Sequence, residues 1–412
     1  MHVSRRTFLA AGAGVALSPF AGGSARAPKR VATVNTIYFR MSHAYHIVGR
    51  LVNGYTVKGK HHQPDVTVAR MYTQQYFADG TMKDVSRPLA KKAGIQIVDS
   101  IPDALGGKDP LDVDAVLLIG EHGQYKRNER GQILYPRYEF FQEIVKVFDG
   151  CKRVVPLFCD KHLSYDAAKA KAMYDTTKKM GVPFMAGSSL PVTFRRPEWE
   201  MPFGEKVEEA VVCHHGDMEI YGFHGLETLQ CLMERRKGGE TGVKSVATLK
   251  GDAVWRAWDR GAWNKDLAEA ALRRSATRDF GMPSDYCENP VAISIEYKDG
   301  TKATVLNLQG YVADITVAVK LANDPKPQST LFVLPAPPGA RFFDALTYYV
   351  EELIATGKSP YPVERTLLTT TMLDFAHRSA ADGGKSLSDP LLDVKYAGVD
   401  RSFFFRGPYS DD

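Results

Sequence analysis

Cysteine is scarce in this chain of 412 residues. The five cysteines are odd in number, none belongs to a C-x-x-C pair, and all lie between Cys151 and Cys287. A disulfide framework in an exported protein is usually denser and has an even number of cysteines. We therefore expect free thiols, most of them buried, which is the common state of unpaired cysteine.

Long apolar runs are missing after the first 27 residues, so the sequence predicts no stable membrane insertion of the remaining chain. An excess of charge of one sign is missing too. The formal charge of +5 falls to +2 without residues 1–27, because Arg5, Arg6 and Arg26 are removed with no acidic residue. A balance so close to neutral does not favour nucleic acid or an anionic membrane surface as a partner.

The first 27 residues are typical of an export signal. Arg5 and Arg6 stand side by side, an apolar run rich in Gly and Ala follows, and A-R-A at residues 25–27 is a cleavage signal. The apolar run is shorter than the ~20 residues that span a bilayer. We expect residues 1–27 to be a twin-arginine (Tat) signal peptide, and the protein to work in the periplasm or another extracytoplasmic space after export in the folded state.

Glycine is absent from Arg30 to Val48, in the stretch "RVATVNTIYFRMSHAYHIV". The stretch has a β-branched run followed by helical spacing, with Ser42 as a plausible N-cap. From here to residue 190, strand-like runs alternate with helical stretches that stop at Gly94, Gly150 and Gly181. This alternation predicts βαβ units, which form a parallel sheet with helices on both faces.

Residues 191–412 follow a different pattern. Strand-like runs are joined by turns, and "YKDGTK" carries the Asp-Gly signal of a hairpin. Helical segments lie between the strands and near the end of the chain. We predict an α+β domain with a mostly antiparallel sheet, whose last helices pack back on the first domain.

Three segments resemble the glucose–fructose oxidoreductase / inositol dehydrogenase / MocA (Gfo/Idh/MocA) family. They are "SHAYHI" at the start of the first helix, "FCDKHLSYDAAKAKAMYDTTKKMGVPFMAG", which resembles the family's strand, E-K-P, helix and strand, and "YGFHGLETLQCLM", which resembles its G-x-H-x-x-D helix start. The resemblance covers nearly all of residues 28–412. It implies a Rossmann-like nucleotide-binding domain at 28–190, and at 191–412 a domain with an open sheet that favours homo-oligomers.

The resemblance also implies NAD or NADP as a cofactor, but the glycine motif is degenerate. The family's G-x-G-x-x-G/A falls on Asn35, Ile37 and Arg40. Glycine at these positions lets the backbone approach the pyrophosphate. The second strand ends Arg70-Met71-Tyr72-Thr73, without the acid that holds the ribose hydroxyls. Any dinucleotide would therefore be bound by an atypical turn.

Ligands of open parallel sheets lie beyond the carboxyl ends of the strands. The cofactor-binding residues predicted for this edge are Asn35, Ile37, Tyr38, Glu121, Asp160 and Lys161. Lys161 matches the lysine of the family's E-K-P, which implies a place near the nicotinamide and the reacting hydroxyl. An ammonium there polarises an oxygen atom and favours its deprotonation. An exposed lysine at a strand end is the structural alternative.

His224 and Glu227 are the other predicted catalytic residues. His224 matches the histidine of the family's catalytic region, Glu227 stands for the aspartate three residues later, and both share one face of a helix start. A neutral histidine can act as a general base near pH 7. A core or capping histidine is the alternative. His214 and His215 could add metal ligands, but neighbours on a strand face opposite sides, so the sequence does not favour a bound metal.

Two further clusters have alternative interpretations. The charged run from Lys126 to Arg130 is a solvated loop or a lid over the cleft. The tryptophans Trp255, Trp258 and Trp263 suit a sugar face, packing between helices or a subunit interface.

Three functions are compatible with this sequence. The first is an exported oxidoreductase that acts on a carbohydrate or polyol hydroxyl with a nicotinamide cofactor. The second is a non-redox sugar lyase or hydrolase, and the third is a catalytically inactive sugar-binding protein. Fold alone does not choose among them.

Overall fold

The computed structural model describes residues 27–106, 111–335 and 340–407. Apart from Ala27, the predicted signal peptide lies outside the described residues. Within those three ranges, no helix combines the length and the apolar character needed to cross a membrane.

The first half of the chain forms a six-stranded parallel sheet. Its elements are β1 (Lys29–Ile37), α1 (His43–Asn53), β2 (Tyr55–Val57), β3 (Lys60–His62), β4 (Val66–Gln75), α2 (Ser86–Ala93), β5 (Gln96–Val98), α3 (Ile101–Leu105), β6 (Ala115–Ile119), α4 (Arg137–Gly150), β7 (Leu157–Asp160), α5 (Ala167–Met180) and β8 (Phe184–Gly187). The strand order is β5-β4-β1-β6-β7-β8, and every neighbouring pair is parallel. The predicted Rossmann-like sheet is confirmed.

The central strands are buried on both faces. All of β6 is buried, as its continuous apolar sequence predicts, and β1 is buried from Val31 to Ile37. Successive residues of β1 face different cores: Val31 packs with residues of α1, whereas Ala32 and Val34 pack with residues of α3 and α4. The helices on the two faces therefore hold the sheet from both sides.

Glycines end the helices where the sequence predicts. Gly94 after α2 and Gly181 after α5 have left-handed backbones, with φ of 69° and 68°. Two features differ from expectation. The first strand continues beyond Asn35 to Ile37, which pairs with Gln75 of β4, and the short antiparallel hairpin of β2 and β3 was not predicted.

The second half forms a seven-stranded sheet. Its elements are β9 (Arg195–Arg196), β10 (Val207–His214), α6 (Met218–Met233), β11 (Val243–Lys250), α7 (Asp252–Asp259), α8 (Lys265–Leu272), β12 (Val291–Tyr297), β13 (Lys302–Asn307), β14 (Ile315–Leu321), β15 (Gln328–Phe332), α9 (Phe342–Thr356) and α10 (Glu364–Ala381). The order is β11-β12-β13-β10-β14-β15-β9, and only β10 and β13 pair in parallel. The predicted, mostly antiparallel sheet and its Asp-Gly hairpin between β12 and β13 are confirmed.

Helices cover both faces of this sheet. In β10, Ala210 and Val212 face the core shared with α6 and α10, whereas Val211 and Cys213 face the core shared with α7 and α8. The tryptophan cluster belongs to the second layer. The ring of Trp258 contacts those of Trp255 and Trp263, with centroids 6.4 and 5.9 Å apart. Of the three interpretations of this cluster, packing between helices is the one seen in the fold.

The last two helices join the halves of the molecule. Phe343 and Val350 of α9 lie in the same core as Ile47 and Leu51 of α1, and α10 contacts α5, α6 and β11. The predicted division at residue 190 falls between β8 and β9, and it stays a prediction because these shared cores connect the two halves.

All five cysteines are free. Four are buried, namely Cys159, Cys213, Cys231 and Cys287. The expectation of unpaired, mostly buried thiols is confirmed.

Candidate functional site

The carboxyl edge of the first sheet faces the beginning of α6. Lys161 follows β7 directly, and its Nζ donates a hydrogen bond of 3.0 Å to the carbonyl of Ile220 in α6. Its side chain is buried. The structural alternative for Lys161, an exposed lysine at a strand end, is therefore wrong.

Lys161 belongs to a buried ionic centre, which we define as Glu121, Arg137 and Lys161. Lys161 Nζ lies 3.0 Å from Glu121 Oε1, and an Arg137 Nη2–H donates to Glu121 Oε2. Burial opposes ionisation of Glu121, but Lys161 and Arg137 outweigh it and hold the pKa of this carboxyl well below its usual range. The site therefore contains two cations and one carboxylate, so it carries a net positive charge.

Local structure explains how these charges reach the sheet edge. The carbonyl of Glu121 accepts a hydrogen bond of 2.9 Å from Thr36 Oγ1 of β1. Arg137 lies on the buried stripe of α4 with Phe140, and a Cβ added at Gly120 would meet its Cγ at 2.5 Å. Gly120 is thus needed because no larger residue leaves room for the arginine.

Three of the six non-glycine residues with positive φ in the described ranges lie around the same edge. Met41, His122 and Lys161 have left-handed backbones, with φ of 72°, 67° and 59°. Residues other than glycine adopt this region rarely, and such strain is typical of functional sites. At Lys161 the conformation is held by a backbone hydrogen bond of 3.1 Å to the carbonyl of Gly187.

A cluster of rings covers the beginning of α1. His43 Nδ1–H donates to Asp160 Oδ2 at 2.7 Å, and Asp160 is fully buried. The His43 ring packs against His122 and Phe343, with centroids 5.1 and 5.0 Å apart, and Phe39 packs against His122 at 5.4 Å. We call Phe39, His43, His122 and Phe343 the ring cluster. It occupies the space next to the first helix turn.

Three predicted cofactor residues lie away from the ionic centre. Asn35 donates to the carbonyl of Tyr72 at 3.2 Å inside the sheet, Ile37 is fully buried at the end of β1, and Tyr38 is buried in the core that contains Ala44. The turn therefore does not form the glycine-lined cradle that receives a pyrophosphate. Whether these residues contact a cofactor remains a prediction.

Ser188 links the two other predicted catalytic residues. Its backbone N–H donates to Glu227 Oε1 at 3.0 Å, its hydroxyl donates to Glu227 Oε2, and its Oγ lies 3.1 Å from His224 Nδ1. Burial raises the pKa of Glu227 to about 7, although the hydrogen bonds from Ser188 lower it. His224 and Glu227 therefore share one hydroxyl, a connection that the sequence did not suggest.

A chain of buried polar groups continues from Arg137. Arg137 Nη1 donates to His162 Nδ1 at 3.0 Å, His162 Nε2 lies 3.7 Å from Glu219 Oε1, and Glu219 Oε2 lies 3.1 Å from His377 Nε2. Sequence reasoning missed Arg137, Glu219 and His377. Arg137 had a signal, since it stands in line with the apolar stripe of its helix.

The charged run of residues 126–130 is partly exposed and contacts two helices of the second half. The Arg127 guanidinium lies 3.4 Å from the Asp217 carboxylate, and the carbonyl of Arg130 accepts from His377 Nδ1 at 3.0 Å. The segment between β6 and α4 thus lies against α6 and α10, next to the buried ionic centre. Lys126, Arg127 and Glu129 are exposed, as a solvated loop predicts, and a lid over the cleft stays a prediction.

Metal ligands are not assembled at this site. The His214 ring is buried and its Nδ1–H donates to the carbonyl of His215 at 2.9 Å. In the part of the chain that the structure describes, no three His, Cys, Asp or Glu side chains are grouped so as to hold a metal ion.

Comparisons with known proteins show which fold the chain has. No protein-family model and no curated protein sequence matches the chain. Among solved structures, GenD2 from gentamicin A biosynthesis, in complex with NAD, is similar over 90% of this chain and 99% of its own, at 13% identity and a TM-score of 0.54.

Two inositol dehydrogenases are similar as well. Myo-inositol dehydrogenase from Lactobacillus casei, in complex with NAD(H) and myo-inositol, matches over 87% of this chain and 97% of its own, at 15% identity and a TM-score of 0.53. Myo-inositol 2-dehydrogenase from Lactobacillus plantarum covers 88% and 99%, at 13% identity and 0.52. The resemblance to Gfo/Idh/MocA-type oxidoreductases is confirmed, and at these identities it shows the fold.

The ionic centre generates a prediction about stability. Glu121→Gln leaves two buried cations without a carboxylate, so we expect a loss of about 3–5 kcal/mol in the free energy of unfolding at neutral pH. Because the folded pKa of Glu121 lies below the unfolded one, its contribution is present above about pH 4.5 and is lost as the pH falls toward the folded value. Denaturant titrations across this pH range measure both effects.

The matched control is Asp175→Asn, which removes an exposed pair with Lys171 and should change stability by less than about 1 kcal/mol. An equal effect of the two substitutions would contradict the assigned role of the ionic centre.

Proposed function

We propose that this chain is an oxidoreductase that acts on a hydroxyl of a carbohydrate or polyol, with NAD or NADP as its cofactor. One observation carries the proposal: the buried Lys161 at the carboxyl edge of the first sheet contacts α6 at Ile220, one helical turn before His224, and its charge lowers the pKa of His224. Structural neighbours that carry NAD or myo-inositol in their names support this substrate class.

Lys161 is suited to polarise the substrate oxygen. Two of the three ammonium N–H groups donate to Glu121 and Ile220, which leaves one donor for a ligand among the residues described. The neighbouring Arg137 adds a second positive charge. A hydroxyl that loses its proton here would be stabilised as an oxyanion by this charge.

His224 is suited to take the hydroxyl proton. Burial, followed by the charges of Lys161 and His43, lowers the pKa of His224 well below 6.5, so the ring is neutral at pH 7. A neutral imidazole has one nitrogen with a free lone pair, which is the group that a general base needs.

The cofactor would lie along the carboxyl edge of the first sheet. When bound, a nicotinamide supplies the carbon atom that exchanges hydride with the substrate. Of the residues predicted for it, Glu121, Asp160 and Lys161 lie around the site, while Asn35, Ile37 and Tyr38 would act through the backbone of an atypical turn.

A non-redox reaction is the second candidate, and the ring cluster favours it. Phe39, His43, His122 and Phe343 occupy the start of α1, where dinucleotide-binding folds receive the pyrophosphate. Without a nucleotide, the same cation and base can remove a proton next to a sugar carbonyl, as in a lyase.

The two candidate functions differ in whether the protein binds a nucleotide. We expect protein purified from the cytoplasm, before export, to release NAD or NADP when it is denatured, as detected by mass spectrometry. Absence of nucleotide, together with no calorimetric binding of added NAD⁺ or NADP⁺, would reject the oxidoreductase. Hydrogen exchange at a sugar carbon in deuterated water without nucleotide would then support the lyase.

Turnover should depend on Lys161. We expect Lys161→Met to lower kcat by a factor of about 10²–10⁴, because the substrate oxygen loses its polarising group. The measurement is the appearance of reduced nicotinamide with a panel of polyols and aldoses that includes myo-inositol. Lys171→Met, on the surface of α5, is the matched control and should leave turnover unchanged. A fully active Lys161→Met protein would refute the assignment.

Export is a further part of the proposal. We expect Arg5→Lys with Arg6→Lys to hold the full-length precursor in the cytoplasm, since the Tat signal depends on the arginine pair. Cell fractionation with an antibody measures this, and Lys29→Arg in the same chain is a control for changes of basic residues outside the signal. Normal export of the double variant would exclude the Tat route.

A further inference from the structure

The hydroxyl of Ser188 has every hydrogen-bonding position filled. A hydroxyl has one proton to donate and two lone pairs to accept with. Ser188 donates its proton to Glu227, and its Oγ accepts from the backbone N–H of Leu190 at 3.2 Å. The remaining contact, 3.1 Å to His224 Nδ1, must therefore be a bond in which the ring donates.

This proton count fixes the tautomer of His224. A neutral ring that donates from Nδ1 has its lone pair on Nε2. No hydrogen bond to Nε2 is formed by the residues of the described ranges, and 7% of the His224 surface is exposed. The nitrogen that is free to take a proton is therefore the one that Ser188 does not contact.

We propose that Ser188 and Glu227 are positioning residues that select the Nδ1–H tautomer of His224, and that protonation of Glu227 reverses the chain and removes the free base. In the reversed chain, the Glu227 carboxylic acid donates to Ser188 Oγ, Ser188 donates to His224 Nδ1, and the ring proton lies on Nε2. No bond other than these O–H and N–H bonds changes. The inference rests on the role proposed for His224.

Geometry holds Glu227 in this chain. Gly187 has φ of 125°, and a Cβ there would meet Glu227 Oε1 at 2.7 Å and Thr366 Oγ1 at 3.1 Å. The close approach of the carboxylate to Ser188 therefore requires glycine at residue 187. The burial that raises the pKa of Glu227 to about 7 places the reversal near neutral pH.

The charges around Glu227 come from two other elements. Arg365 of α10 and Asp160 of β7 act on it in opposite directions. Arg365 is committed to Glu234, with Nε–Oε2 and Nη2–Oε1 distances of 2.8 and 2.5 Å, so it is not the partner of Glu227.

Besides Glu227, the charged and titratable groups around His224 include Lys161, His43, Glu121, His214 and Tyr221, whose ring centroid lies 5.6 Å from that of His224. The two cationic or potentially cationic neighbours, Lys161 and His43, oppose a second proton on the ring. The ring therefore changes tautomer rather than becoming an imidazolium.

The same three residue types form the hydrolytic Ser-His-acid triad, but this arrangement differs. In a triad, the histidine accepts the serine proton and contacts the acid directly. Here the serine proton goes to Glu227, and the serine stands between His224 and the carboxylate. Ser188 therefore orients the ring and is not a nucleophile.

Nitrogen NMR of the histidine rings tests the tautomer without any substrate. The protein is labelled with ¹⁵N-histidine, and the signals of His224 are identified among the 11 histidines by their loss in His224→Gln. We expect the Nδ1–H form in the parent protein at pH 8 and the Nε2–H form at pH 6. The Nε2–H form at pH 8 would overturn the proposal.

Glu227→Gln is the decisive variant. Its amide oxygen can accept from the Ser188 N–H while its NH₂ donates to Ser188 Oγ, as the protonated acid would. We expect the Nε2–H tautomer at both pH values, and a mixture of tautomers in Ser188→Ala. Ser188→Thr should restore the parent pattern. Ser189→Ala, beside it in the sequence and likewise buried, is the matched control and should change nothing.

Thermal unfolding checks that the variants fold, and a parent-like Nδ1–H signal in folded Glu227→Gln and Ser188→Ala would refute the proposal. This readout is separate from the proposed function, since it needs neither nucleotide nor turnover. Where turnover is measured, Glu227→Gln should lower kcat/KM by about 10²–10⁴-fold, because His224 is then held in the wrong tautomer. The parent protein should lose activity below pH 7, and this loss should be absent from Glu227→Gln.

Discussion

The pairing of Glu121 with Lys161 and Arg137 is the constraint on which the site depends. Three ionised side chains are buried at the point where β6, β7 and α4 meet, and removing one of them would leave an uncompensated charge in the interior. The surrounding structure is arranged to keep them together. Gly120 leaves room for Arg137, and Lys161 adopts a left-handed backbone conformation. Three buried charges held together in this way are not by themselves evidence of stability, and they support the chemistry proposed for this edge.

The second constraint is the loss of glycine from the first turn. In this chain β1 continues to Ile37, whose side chain is fully buried, and the ring cluster covers the helix start. The fold survives because strand pairing and core packing do not need the glycines. The loss of these glycines changes the way in which a dinucleotide could approach. The same cation and the same base would therefore suit either redox or non-redox chemistry.

Part of the site was accessible from the sequence. Lys161 follows a buried strand, and His224 and Glu227 lie one helical turn apart. The types and spacing of these residues therefore predicted a catalytic role for them. The structure places Lys161 at α6 and brings His224 and Glu227 together through Ser188. Asn35 and Ile37 were inferred by laying a glycine motif on the chain, and they lie inside the sheet. Matching the motif to the sequence gave the positions of these residues, but it did not show in which direction their side chains point.

The sequence by itself determined the order of strands and helices apart from the β2–β3 hairpin, the helix ends at Gly94 and Gly181, and the Asp-Gly hairpin, because these follow from local periodicity and turn chemistry. Only the tertiary structure decided that Arg137 pairs with Glu121, that Phe343 packs on His43 and that Ser188 stands between His224 and Glu227. These contacts join residues 16 to 300 positions apart, and no local pattern records them. They exist because burial leaves each polar group only the partners that the fold brings within reach.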